Sequence, residues 1–315
     1  MNSAIEAPGN SPLTAMPPES LRMPFFTAAR LRRAALYAVL VLAALAFLVP
    51  LVAMVFTSLK SMPEITGLPP YQGSTILSPP QSPSLEAWGL AWSSACIAVS
   101  CDGLKGYFWN SLVLCFFSVL ISVSLGAVNG YALTKWRFKH DNVVFALFLF
   151  SCFVPFQIVL IPVARLLGLV GLSGTLTGLI AVHVLYGIAF TTLFFRNFYV
   201  AIPDELVKAA RIDGAGFWAI FFFVIVPISG PIAVVSVIWQ FTSIWNDFLF
   251  GASFSGPTSR PLMVALNNLV NTTTGTKAYN VDMAAAMIAA LPTMLVYIAA
   301  GKFFVRGLMA GAVKG

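Results

Sequence analysis

Apolar residues dominate six stretches of the chain, at about 34–56, 109–133, 143–163, 176–195, 231–250 and 283–304. A helix needs roughly 20 consecutive apolar residues to cross a bilayer, and each stretch meets that length. None shows the period-2 alternation over ~10-residue segments that marks a membrane β-strand. The pattern therefore predicts an all-α membrane protein with six transmembrane helices. Pro155 and Gln157 fall in the middle of the third stretch, and Pro292 bends the sixth. A proline inside a membrane helix frees a backbone carbonyl, which neighbours or water must then satisfy. Residues 1–30 are rich in Pro, Ser and Ala and contain no apolar run, so they are expected to form a disordered tail. The first apolar run starts only after residue 33 and has full spanning length, which argues against a signal peptide. Polar loops are expected at 60–107 and 251–281.

One polar segment stands out, at 202–227, between the fourth and fifth stretches. Pro203 suits a first helical position, where its missing N–H costs nothing. Asp204 and Glu205 follow in the first turn, where negative charge suits the helix dipole. Leu206, Ala209 and Ala210 recur at i, i+3 and i+4 and predict one apolar face. Glu205, Lys208 and Arg211 are placed on the polar side. Gly214 offers a stop, because glycine enters the left-handed region freely. A second, more apolar helix is predicted to follow and to end at Pro227.

Composition agrees with the class. The 315 residues are 59% hydrophobic and only 9% charged, against about 25% charged in soluble domains. The net charge of +7 then bears on topology. With six spans, one side receives 13 Lys and Arg (Arg22, Arg30, Arg32, Arg33, Lys135, Arg137, Lys139, Arg196, Lys208, Arg211, Lys302, Arg306, Lys314). The other receives five: Lys60, Lys105, Arg165, Arg260 and Lys277. The positive-inside rule puts the richer side, with both termini and the 202–227 segment, in the cytoplasm. No basic patch interleaved with aromatics lies outside the spans, so nucleic acid is not an expected partner.

Catalytic motifs are missing from the sequence. It has no Walker A pattern, no nucleophile elbow and no Ser/His/Asp set, so the chain is not expected to hydrolyse ATP or to be an enzyme. Four Cys and two His without ligand spacing argue against a metal site. Cys115 and Cys152 lie in apolar runs as small hydrophobes. Cys96 and Cys101 share the first long loop, and two readings stay open: a disulfide, or two free thiols.

Polar groups within the fifth stretch carry the other candidate chemistry. Asp247 follows Trp245 and Asn246 near its end. A charge at membrane depth costs at least ~2.5–3.5 kcal/mol and usually faces a cavity or partner. Asp247 reads either as lining a transport path or as an interfacial residue paired with a nearby loop. Trp239, Phe241 and Trp245 read either as stacking platforms for a ligand ring or as an interfacial aromatic belt. His183 and Gln157 read as helix-packing polar groups. Two rival functions would leave marks of their own. An ion-coupled secondary transporter needs intramembrane carboxylates, and only Asp247 is near a span. A membrane-embedded glycosyl-transfer enzyme needs a catalytic cluster that the sequence does not show.

The run Lys208-Ala209-Ala210-Arg211-Ile212-Asp213-Gly214-Ala215, followed by Phe217, Trp218, Phe221 and Pro227, resembles the cytoplasmic "EAA" loop of ABC importer permeases. Lys208 stands where that family has Glu. The resemblance extends over nearly all of 33–315. Trp245-Asn246-Asp247-Phe248 and the Ala312-Val313-Lys314-Gly315 tail are similar to the maltose-type carbohydrate permeases. The stretches 265–273 and 280–285, with the tail, most resemble glucose/mannose importer permeases. The resemblance implies the ABC importer permease (MetI-like) fold, with 31–315 as the six-span permease domain and 198–227 as its coupling loop. Glu205, Lys208, Ala209, Ala210, Asp213, Gly214 and Ala215 would contact an ABC ATPase. Trp239, Trp245, Asn246 and Asp247 would line the substrate path. It further implies a second permease subunit in a heterodimer, an ATPase dimer that uses ATP and Mg, a periplasmic sugar-binding protein, and residence in the bacterial inner membrane among its lipids. The chain itself would bind no cofactor.

Overall fold

The computed structural model describes residues 28–98, 100–272 and 277–312, with side-chain environments over 30–98, 100–272 and 277–301. The described chain is helical, apart from two isolated bridges, Ile97 with Ser100 and Gly174 with Ser255. It divides into two units, one up to Pro50 and one from Leu51 onward. The first unit is carried by α1 (Ala28–Leu59), whose apolar side chains before Leu51 are exposed where described, as expected of a surface made for lipid.

In the second unit the helices in order are α2 (Met62–Thr66), α3 (Glu86–Ser93), α4 (Lys105–Lys135), α5 (Asp141–Phe153), α6 (Phe156–Leu169), α7 (Leu176–Val200) and α8 (Asp204–Ile212). They continue as α9 (Phe217–Ile220), a π-helical turn (Phe221–Ile225), α10 (Val226–Ile228), α11 (Gly230–Trp245), α12 (Leu249–Phe254), α13 (Leu262–Val270) and α14 (Tyr279–Ala312). Four helices are long and apolar enough to cross a membrane alone: Arg30–Leu59, Lys105–Lys135, Leu176–Val200 and Tyr279–Gly301. Two bent helix pairs among the described residues pass the same test together. Asp141–Phe153 meets Phe156–Leu169 at 104°, and Phe217–Ile228 meets Gly230–Trp245 at 80°. The described residues thus hold four whole candidate spans, and six if each bent pair is one span.

Three expectations change in detail. The run at 143–163 is not one helix with a proline in it, because the chain turns sharply at Val154 and Pro155. Val154 is extended, with ψ 120°, the conformation forced on a residue whose next neighbour is proline. The loop expected at 60–107 holds α2 and α3, and it buries Ala87, Ala91, Ile97 and Leu104 in the main core. Cys96 and Cys101 form a disulfide in that segment. The loop expected at 251–281 holds most of α12 and all of α13.

The tightest helix pair is α4 with α7. Gly126 and Gly130 are four residues apart and let the backbones meet. A Cβ at Gly126 would stand 2.3 Å from Thr191 Oγ1, and one at Gly130 2.8 Å from Arg196 N. Lipid offers no hydrophobic drive for helix pairing, so small residues and interhelical hydrogen bonds supply it. Thr191 Oγ1 donates to the Ser122 carbonyl at 2.8 Å.

Two buried clusters lie along this pair. One joins α3, α4, α7, α11, α13 and α14 through residues such as Leu114, Leu179, Trp245, Leu262 and Ala284. The other joins the last turns of α4 and α7 to α8 and the π turn, through Tyr131, Phe195, Tyr199, Val207, Ile220 and Ile225.

Candidate functional site: a clamped surface helix and a polar cavity

α8 is short, and its conformation is dictated at both ends. Pro203 precedes its first turn, one place earlier than expected, and Asp204 and Glu205 fill that turn. At the far end Gly214 has φ +81°. Ala215 N–H donates to the Ala210 carbonyl at 2.9 Å, and Gly214 N–H to that of Arg211 at 3.0 Å. This is a Schellman stop, which needs a left-handed residue and here has glycine there.

The face that α8 buries differs from the expectation. Val207 is buried and Ala210 half-buried against the cluster that contains Tyr131 and Ile220. Leu206 and Ala209 are exposed. Leu206, Ala209 and Ala210 share one stripe by periodicity, but the buried stripe is the neighbouring one, with Val207 in the cluster that holds Tyr131 and Ile220. Leu206, Ala209 and Ile212 are therefore presented outward, with Ile212 86% exposed. Glu205, Lys208, Asp213 and Gly214 are exposed beside them, and Ala215 is half-buried.

Two cationic side chains tie this helix to the end of α4. Lys135 Nζ donates to Asp204 Oδ1 at 2.6 Å and to the Ile202 carbonyl at 2.5 Å. The Lys135 side chain is 4% exposed and that of Asp204 is 65% exposed. The hydrogen bond from Lys135, and then its charge, hold the Asp204 carboxyl below its usual range. Arg211 Nη2 donates to the Lys135 carbonyl at 3.1 Å, and its guanidinium lies 4.3 Å over the Trp136 ring. α8 is thus fastened to the end of α4 at both of its ends.

The second site is a cavity of about 390 Å³ among α5, α6, α7, α11 and α12. The break at Pro155 contributes Ser151, Cys152, Val154 and Phe156 to its wall. α7 contributes His183 and Tyr186, α11 contributes Trp239 and Gln240, and Asp247 follows α11. Trp239 is braced by Phe190 at 4.6 Å and Phe194 at 5.5 Å between ring centroids. Phe250 packs on Tyr186 and His183 at 4.9 and 5.4 Å. Asp247 accepts the N–H groups of Gly251 (3.0 Å) and Phe250 (3.3 Å) at the start of α12. Its Oδ2 lies 3.7 Å from His183 Nε2. Gln240 reaches across to α7, and its Nε2 donates to the His183 carbonyl at 3.4 Å. That approach depends on Gly187, since a Cβ there would stand 1.9 Å from Gln240 Nε2.

Of the four path residues read from sequence, Trp239 and Asp247 meet at this cavity. Trp245 and Asn246 do not line it. Trp245 is 1% exposed, donates through Nε1 to the Ala289 carbonyl at 2.9 Å, and stacks on Phe241. Asn246 is exposed and turns back to the Thr242 carbonyl. His183 and Gln240 were not among the expected path residues. The available signal was that three polar groups, His183, Gln240 and Asp247, interrupt otherwise apolar runs.

Four helices of spanning length with two bent pairs, a polar cavity among α5, α6, α7, α11 and α12 and an amphipathic helix clamped to the end of α4 define an integral-membrane permease. Residues 111–309 match the family of binding-protein-dependent transport system inner membrane components, and the chain belongs to that family. It is 31% identical to the xylose/arabinose import permease protein of Haloferax volcanii, over 88% of this chain and 92% of that one. It is 45% identical over 188 residues to a probable ABC transporter permease of Pyrococcus horikoshii, covering 59% of this chain and 68% of that one. Among solved structures, one subunit of a bacterial ABC transporter involved in the import of the acidic polysaccharide alginate superposes with a TM-score of 0.76 at 22% identity. The match covers 89% of this chain and 99% of that one. The chain is a multi-pass inner-membrane protein of the ABC permease class. It is not itself catalytic and binds no cofactor; ATP is used by the ATPase.

Proposed function

We propose that this chain is one permease of a heterodimeric, ATP-driven sugar importer, that α8 is its coupling helix, and that its cargo is glucose or mannose. The observation that carries the reading is the clamp. Lys135 and Arg211 fix α8 to α4 while Leu206, Ala209 and Ile212 face outward. A rigid short helix with an exposed apolar strip fits a groove on a partner, and a displacement of that helix is passed to the spans through α4.

Support for a sugar comes from relatives. Besides the xylose/arabinose permease, the chain is 30% identical to the melibiose/raffinose/stachyose import permease of Bacillus subtilis over 86% of its length. The hexose choice rests on the glucose/mannose-like stretches 265–273 and 280–285. Within the assembly, ATP closes the ATPase pair and the coupling helices approach each other. The spans then turn from inward-open to outward-open, and a periplasmic binding protein releases sugar into the path. Hydrolysis resets the state. Residues 31–315 form the permease domain with 198–227 as its coupling loop, and both termini are cytoplasmic by the charge bias. Trp239 and Asp247 belong to the path, while Trp245 and Asn246 support it.

The test is recovery of the tagged chain from its own membranes in mild detergent, with mass spectrometry of what accompanies it. A second permease and an ABC ATPase are expected. Recovery of the chain alone, or as a homodimer without an ATPase, would reject the reading.

A further inference from the structure

The cavity beside Trp239 holds more polar chemistry than packing explains. Gln240 is 2% exposed and His183 5% exposed. Gln240 Oε1 and His183 Nε2 are buried without a hydrogen-bond partner. Turning the Gln240 amide over would set its oxygen against the His183 carbonyl, which only accepts, and would leave both ends without a partner. Leaving such a group unsatisfied costs roughly 1–3 kcal/mol, so native structures rarely keep two together at one wall without a use for them.

The two free atoms and the carboxylate beside them have a common character. Gln240 Oε1 accepts, an imidazole nitrogen donates or accepts according to its tautomer, and Asp247, which already takes the N–H groups of Phe250 and Gly251, keeps further acceptor capacity. A hydroxyl does both, so a ligand bearing several hydroxyls can satisfy all three. Much of the rest of the wall is aromatic, with Trp239, Tyr186, Phe156 and Phe250, and Ser151 and Ser243 add two hydroxyls. Apolar faces with a few convergent polar groups are the usual build of a small-molecule site, and the volume lies at the lower end of the ~300–1,000 Å³ range of such sites. Charge narrows the class further. Among the described residues no Lys or Arg lines the cavity, and Asp247 does. A carboxylated sugar would be desolvated there without a counter-charge and beside a carboxylate, at a cost of the kind that buried unpaired ions carry.

We infer that this cavity is a subsite on this subunit for one neutral pyranose unit. His183, Gln240 and Asp247 contact its hydroxyls, and acidic sugars are rejected there. The inference rests on the sugar-importer reading and deepens it, because it places a sugar contact on this chain and gives the charge class.

A native reporter makes it testable. Cys152 lines the cavity, Cys115 is buried, and Cys96 and Cys101 are bonded to each other. The complete nucleotide-free importer in nanodiscs is treated with N-ethylmaleimide, and modification of Cys152 is followed by peptide mass spectrometry. D-glucose and D-glucuronate are compared, with betaine as an osmotic control. At ~100 mM D-glucose the rate should fall at least about tenfold for any Kd up to ~10 mM. D-glucuronate and betaine should leave it unchanged, and Gln240→Leu should remove the protection by glucose. The wild-type comparison needs no variant, so a Gln240→Leu protein that fails to fold does not blunt the test. Equal protection by both sugars, or protection by neither, overturns the inference. ATP-driven uptake of radiolabelled sugars is measured on the same preparation in vesicles. Uptake with an unprotected Cys152 rejects only this subsite, whereas no ATP-dependent uptake of any sugar rejects the importer function itself.

Discussion

The ammonium of Lys135 lies 2.6 Å from the carboxylate of Asp204, so the last residue of α4 holds the first residue of α8. Lys135 also donates to the Ile202 carbonyl, and its own carbonyl accepts from Arg211. Both ends of the surface helix therefore close on one point of a spanning helix.

Lys135→Met should leave membrane insertion and subunit assembly intact but free α8 from α4. Uptake per ATP hydrolysed is expected to fall several-fold, measured in vesicles with both rates followed together. Asp204→Asn should have a smaller effect, because the Ile202 carbonyl still receives a hydrogen bond. The pH dependence follows from the sign of the shift. The Asp204 carboxyl is held below its ordinary value by Lys135, so the pair's contribution is complete above the unfolded pKa of about 3.9. It is lost only as pH falls through the lower folded value. Coupling should show no titration from this pair between pH 5 and 8, roughly the range in which proteins are most stable.

Gly214 at φ +81° stops α8. A side chain there meets no neighbour, so the cost of Gly214→Val is conformational, about 1–2 kcal/mol for the left-handed region. The substitution should reduce ATP-coupled uptake without reducing the amount of protein in the membrane. Ala210→Trp, on the half-buried face beside Tyr131, should do the same more severely. Wild-type uptake in both variants would separate α8 from coupling.

Gly126→Val places a side chain within 2.3 Å of Thr191 Oγ1 and 2.8 Å of its backbone. Overpacking of this kind costs typically 1–3 kcal/mol. The thermal midpoint of the detergent-solubilised protein should fall clearly. Gly89→Ala, in α3 with nothing within 4 Å, serves as the control and should not lower it, because alanine favours a helix over glycine.

Trp239 and Trp245 should respond differently. Trp245→Phe removes the hydrogen bond to the Ala289 carbonyl that ties α11 to α14. It should lower stability by about 0.5–1.5 kcal/mol and leave the KM for sugar unchanged. Trp239→Leu removes an aromatic wall of the cavity and should raise KM several-fold with little loss of stability. The two values, read from thermal melts and uptake kinetics, distinguish a path residue from a core residue.

The sequence alone carried the class, the number of apolar runs, the sidedness implied by charge, and the helix-stop-helix shape of the 202–227 segment. Those properties are local. Spanning length, charge bias, a proline before the first turn and a glycine at a left-handed position act within a few residues or along one helix. Which stripe of α8 is buried is a tertiary outcome: Val207 packs in one cluster with Tyr131 and Ile220, residues far apart in sequence, and Leu206 and Ala209 are left exposed. The separation of Trp239 from Trp245 was likewise tertiary. The two are neighbours in one apolar run, yet one faces the cavity opened by the break at Pro155 and the other faces Ala289 of α14. A hydropathy pattern records that a residue is apolar or polar. It holds no information on which helix will stand opposite, so the meeting of His183, Gln240 and Asp247 at one wall arises only when α7 and α11 pack, with Gly187 making the space.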